Sequence, residues 1–86
     1  MAPYDPRLRP ALEVARPADS PGHAPDWRED RSRWLMLFGD GKEHPVTARA
    51  WWSDRHGRQV VQVQYFAALT THEETFLFDR KRMREG

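Results

Sequence analysis

The chain contains no cysteine. Disulfides and thiolate metal sites are therefore excluded, along with the cross-links on which small secreted domains depend. It also has no run approaching the ~20 apolar residues needed to cross a bilayer as a helix. The opening, Met1-Ala2-Pro3-Tyr4-Asp5-Pro6, lacks the basic stretch and apolar run of a secretory signal. A cytoplasmic location with no membrane partner is the resulting expectation. Excess charge is missing too: the net charge is +1 over 86 residues. A protein held to DNA mainly by phosphate neutralisation carries a larger surplus.

Apolar residues make up only 38% of the chain and charged residues 31%, a balance that suits one small folded unit plus an unstructured segment. The prolines mark where that segment lies. Six of the seven fall within residues 1–33, each removing a backbone donor and disfavouring helix in the residue before it. Between them, Ala11 to Arg16 is too short a run to hold a helix without packing. Residues 1–26 are accordingly expected to form a flexible proline-rich arm, with docking of Leu8, Leu12 and Val14 on the domain as the alternative. Residues 27–86 are expected to form a small antiparallel β domain. Asp26 and Glu29 have the spacing of a capping box and predict a helical turn at 26–30.

Strand patterns begin at Trp34-Leu35-Met36-Leu37-Phe38 and stop at Gly39-Asp40-Gly41, a hairpin signal. Residues 46–53 and the valine-rich stretch 59–69 predict two further strands around a turn at 54–57. Residues 70–74 read as a polar connection and 75–78 as a short fourth strand. Residues 79–85 suit a C-terminal helical turn capped by Asp79. The fold class predicted is mainly β: an antiparallel meander of three to four strands.

Alternation along the strands predicts which side chains are inside. With an even turn at 54–57, Ala48, Ala50 and Trp52 share the core face with Val61, Val63 and Tyr65. A four-residue connection then adds Ala67, Leu69, Phe76 and Phe78. The opposite face carries Thr47, Arg49 and Trp51 beside Arg58, Val60, Gln62, Gln64 and Phe66. Tryptophan and arginine dominate binding energy at interfaces. Trp51, Arg49, Arg58, Gln62, Gln64 and Phe66 are therefore the expected partner-binding residues, with Trp51 as anchor, unless the arm or the last turn covers them. Both faces of 34–38 are apolar, as in a strand buried on two sides. A single sheet of this size has nothing of its own to cover the second side, which raises the prospect of a homodimer.

The rest of the chemistry is sparse. Arg80, Lys81, Arg82 and Arg84 could contact phosphates, although flanking Asp79 and Glu85 dilute the run and solubility explains it as well. Twelve arginines stand against two lysines; a GC-rich coding sequence is the simplest account of most of them. His23, His44, His56 and His72 are scattered, without the convergence a metal site needs. His72-Glu73-Glu74 is the only local acid–base cluster, and a solvated connection is its plainer reading. Gly39-Asp40-Gly41-Lys42 lacks the spacing of a phosphate loop. No catalytic residue, metal, cofactor or small-molecule substrate is inferred. The function expected is non-enzymatic: a small regulatory or adaptor protein that binds a protein, itself included. A nucleic-acid-binding accessory protein using Trp51, Arg49, Arg58 and the basic tail is the runner-up.

Overall fold

The chain after residue 27 folds as five strands in the computed structural model, which describes residues 5–15 and 25–86. The strands are β1 (Arg28–Leu37), β2 (Glu43–Ser53), β3 (Gln59–Ala67), β4 (Thr70–Leu77) and β5 (Met83–Glu85). They form one antiparallel sheet in the order β4-β3-β2-β1-β5. The class is mainly β, as expected, with one strand more than the meander predicted.

Three local expectations are corrected. Residues 28–30 belong to β1 rather than to a helical turn. Asp26 instead accepts hydrogen bonds from the Ser53 N–H (3.0 Å) and hydroxyl (2.6 Å), a cross-strand use of the side chain that a helix cap would have spent locally. The segment after Asp79 makes a turn and then the short strand β5, not a helical turn; Met83 pairs with Met36 and is buried, which a solvated helix end would not allow. The connection between β3 and β4 consists of Ala68 and Leu69 alone, so His72, Glu73 and Glu74 lie within β4.

Part of the expected flexible arm, residues 1–4 and 16–24, lies outside the described residues. Residues 5–15 are held against the sheet. The Ala11 N–H donates to the Leu37 carbonyl (2.8 Å) and the Gly39 N–H to the Arg9 carbonyl (2.9 Å). Further along, the Ala15 N–H donates to Thr75 and the Leu77 N–H to Glu13, both at 2.9 Å. One strip of chain thus bonds both to the end of β1 and to β4, which stand three places apart in the sheet. The sheet must curl for this to happen, and the strip closes the gap. Leu12 drops into the core enclosed in this way, while Leu8 and Val14 stay exposed.

The decisive feature is the parity of β2. Its connection to β3 is odd, not even. The Asp54 N–H donates to the Arg58 carbonyl (2.9 Å), leaving Arg55, His56 and Gly57 at the tip, with Gly57 at φ +78°. An odd turn alone would scramble the two faces. A β-bulge restores order: Ala48 pairs with Val63 and Ala50 with Gln62, so Arg49 is the extra residue. Trp51, opposite Val61, therefore joins Ala48, Val63, Tyr65, Met36, Phe38 and Phe76 in the main core. Ala50 and Trp52 fall on the other side with Val60, packed by Ala15 and Leu77. The two neighbouring indoles have exchanged sides relative to expectation, and both are buried, Trp51 at 5% and Trp52 at 1% exposure.

Candidate functional site

Trp51 was the expected anchor of an exposed surface, and its burial removes it from that role. It packs in an aromatic cluster with Trp34 (5.5 Å between centroids) and Phe78 (5.4 Å). Its Nε1 donates to Asp30 Oδ2 (2.7 Å), which also accepts from the Ser32 hydroxyl (2.6 Å). Ser32 Oγ in turn accepts from Trp34 Nε1 (2.8 Å). A buried indole N–H needs such a partner, and β1 supplies it from the neighbouring strand. The hydrogen bond from Ser32, joined by that from Trp51, outweighs desolvation and holds the Asp30 carboxyl below its ordinary value. Arg28 lies over the ring, with its guanidinium carbon 5.7 Å from the centroid.

The other expected contact residues scatter. Arg49 is half-buried in the bulge. Arg58 lies at the β2–β3 turn, its Nε on Asp54 Oδ2 (2.7 Å). Burial of the Asp54 carboxylate opposes its charge, but hydrogen bonds from Arg58 and the His56 N–H prevail and its pKa is lowered. In the C-terminal run, Arg84 is held by Glu43 (2.8 and 2.9 Å) and Arg82 Nη1 donates to the Ala11 carbonyl (2.8 Å). Arg80 and Lys81 are exposed. With no helix to align them, these four cations do not share one face. A cleft of about 560 Å³ does bring Arg58, Arg80 and Arg82 together, with Glu13 and Asp79 also in its wall.

Gln62, Gln64 and Phe66 remain on one surface, the second face of the sheet. That face has two parts. One end is sealed around Trp52. The rest is open and reads in cross-strand rows. Arg33, Thr47, Gln64 and Glu73 stand side by side on β1, β2, β3 and β4. In the next row Leu35 pairs with Pro45 and Phe66 with Thr71. Between the rows lies a shallow depression of about 430 Å³ whose wall includes Arg33, Pro45, Gln64 and Phe66.

Phe66 is 68% exposed and Leu69, at the adjoining hairpin tip, 93% exposed. The tip is strained. Ala68 has φ +51° and Leu69 φ +64°, so both occupy the left-handed region that two-residue hairpin turns require. Asn-Gly normally fills it. A residue with a Cβ pays roughly 1–2 kcal/mol to be there. Sequence reasoning missed Leu69, placing it on the core face, because neither turn residue is glycine, asparagine or aspartate. It also left out Arg33 and Pro45, because the two faces of the first strand could not be told apart from its apolar pattern; Thr47 was placed on the open face and lies there.

A polar cluster closes the same end of the sheet from the core side. Glu74 Oε1 accepts from Arg9 Nε (3.1 Å) and from the Tyr65 hydroxyl, and Glu74 Oε2 faces Arg9 Nη2. His72 stacks on the Tyr65 ring, 5.2 Å between centroids. Burial, reinforced by the hydrogen bond to Glu74, pushes the Tyr65 hydroxyl up to about 12. The arrangement ties the strip 5–15 to β4. Among the described residues no group of histidine, aspartate and glutamate side chains could hold a metal ion, and no helix is long and apolar enough to cross a membrane. Comparison with protein-family models, curated proteins and solved structures gives no match.

Proposed function

We propose that the protein is a small binding module that engages a protein partner through the open part of the second sheet face, centred on Phe66 and Gln64 and continued by Leu69. The observation that carries this reading is the hairpin tip. Two left-handed residues with side chains hold an apolar leucine in solvent beside an exposed phenylalanine. Stability alone favours the opposite choice at both positions, and strain retained in this way clusters at sites of function. The rim is polar and the centre apolar, as in protein interfaces. The test is photo-cross-linking inside cells, with p-benzoylphenylalanine introduced at Gln64 or, as a control, at His56 on the opposite turn. Protein adducts are expected from position 64 alone. Equal yields, or none from position 64, would remove the reading.

One observation favours a second reading, that of a nucleic-acid accessory protein. Arg58, Arg80 and Arg82 converge on one cleft, and guanidinium groups suit phosphate. Retention on a DNA column that falls steeply with salt would support it; retention indifferent to salt, or absent, would exclude it.

A further inference from the structure

We propose that the occupant of the open face is a second copy of this chain, packed sheet against sheet about a two-fold axis that runs along the strands. This rests on reading that face as a protein-binding surface and names the partner. The order of side chains across the sheet selects this partner. In the row Arg33–Thr47–Gln64–Glu73 the two charges are opposite and stand at opposite ends, three strand spacings apart, roughly 14 Å. Both side chains are exposed, and among the described residues neither has an ion-pair or hydrogen-bond partner. The carboxylates of Glu43, Glu74 and Asp54, by contrast, are matched by Arg84, Arg9 and Arg58.

A two-fold axis along the strands, midway between two facing sheets, reverses the order of the row. Arg33 of each copy then lies over Glu73 of the other, and Thr47 over Gln64. The next row is complementary under the same operation. Register carried one step beyond Thr47 and Gln64 sets Pro45 beside Phe66, and both border the same depression. Reversal places the Phe66 ring of each copy on Pro45 of the other and Leu35 over Thr71. An axis across the strands would instead stack Arg33 on Arg33 and Glu73 on Glu73, which like-charge repulsion disfavours. Charge therefore selects one of the two symmetric packings. The sheets would pack ~10 Å apart, and the usual crossing of about −30° inclines the axis to the strands by half that angle. The raised end around Trp52 limits the overlap to the open rows. Such a patch is smaller than the ~800 Å² per partner of a standard interface, so the dimer should be weak, with Kd on the order of micromolar or above.

Sedimentation equilibrium from 10 µM to about 1 mM, at low and moderate salt, provides the test. The wild type should dimerise. Arg33→Glu and Glu73→Arg, both on exposed strand positions, should each weaken the dimer at least about tenfold while melting as the wild type does. The double variant should recover to within about threefold. Mixing the two single variants should give a 1:1 heterodimer tighter than either homodimer. A wild type that stays monomeric throughout, single variants that dimerise normally, or a double variant that fails to recover would each overturn the proposal. If the wild type is monomeric while position 64 still cross-links to a different protein, the second copy is the wrong occupant and the binding module stands. If both experiments fail, both readings fall.

Discussion

Replacing Ala68 and Leu69 together by Asn and Gly should make the protein more stable. Both wild-type residues have positive φ. The left-handed conformation costs a residue bearing a Cβ roughly 1–2 kcal/mol, asparagine tolerates it better, and glycine bears no such cost. Leu69 gives up no burial, being 93% exposed. Against the gain stands the extra freedom of glycine in the unfolded chain, roughly 0.5–1 kcal/mol. The net expectation for Ala68→Asn/Leu69→Gly is a stabilisation of about 1–2 kcal/mol. For a domain this small, each kcal/mol raises Tm by roughly 4–8 °C, well within the precision of differential scanning calorimetry. The same variant should cross-link less from position 64, because it removes the exposed leucine. An unchanged or lower Tm would refute the reasoning, since Leu69 would then be making a contact that outweighs its strain.

Trp51→Ala and Trp52→Ala should each destabilise by ~3–5 kcal/mol in urea titrations, because the two rings fill separate apolar clusters; a mild effect at either position would place that ring in solvent. Asp30 and Asp54 have lowered pKa values in the fold. Their contribution to stability is therefore complete above the unfolded value of 3.8 and is lost as pH falls below it, through their folded values. Tm should be flat from pH 5 to 7 and drop below about pH 4, with Asp30→Asn showing a shallower drop; an identical acid profile in that variant would remove Asp30 from the account. The chain has two tyrosines, and one phenol, that of Tyr65, should resist ionisation until about pH 12. Ultraviolet titration in which both tyrosines ionise together near 10 would contradict the buried bond to Glu74.

The antiparallel sheet was legible in the sequence because Val61 to Tyr65 alternates with period two and the apolar run Trp34 to Phe38 stops at an Asp-Gly turn signal. The assignment of Ala48, Val61, Val63, Tyr65 and Phe76 to one core also follows from alternation and is what the structure shows; that Met36 and Phe38 join them was not legible, because both faces of 34–38 are apolar. Alternation fails at β2. Arg49 is an ordinary strand residue by composition, and nothing local marks it as the bulge. The bulge exists because a three-residue turn, closed by Gly57, must be reconciled with cores on both sides, a constraint set by β3 and β1 together. The extent of β4 was missed for a related reason. Thr70, Thr71 and Thr75 are good strand residues, but the turn preceding them lacks turn chemistry, so the pairing of Gln64 with Glu73 had no signal of its own. The candidate face inherits both difficulties: Gln62, Gln64 and Phe66 were read correctly onto one surface, while the indole placed among them belongs inside.

Which aromatic ring faces water decides the orientation of β2 and the identity of the open face. Solvent-isotope shifts in ¹⁹F NMR spectra of protein labelled with 5-fluorotryptophan and 4-fluorophenylalanine, assigned by single substitutions, measure that directly. In the Arg33→Glu variant, which keeps the open face uncovered, a large H₂O–D₂O shift is predicted for Phe66, with Trp51 and Trp52 close to zero. A large shift at Trp51 together with a small one at Phe66 would contradict the bulge at Arg49 and the open face built upon it.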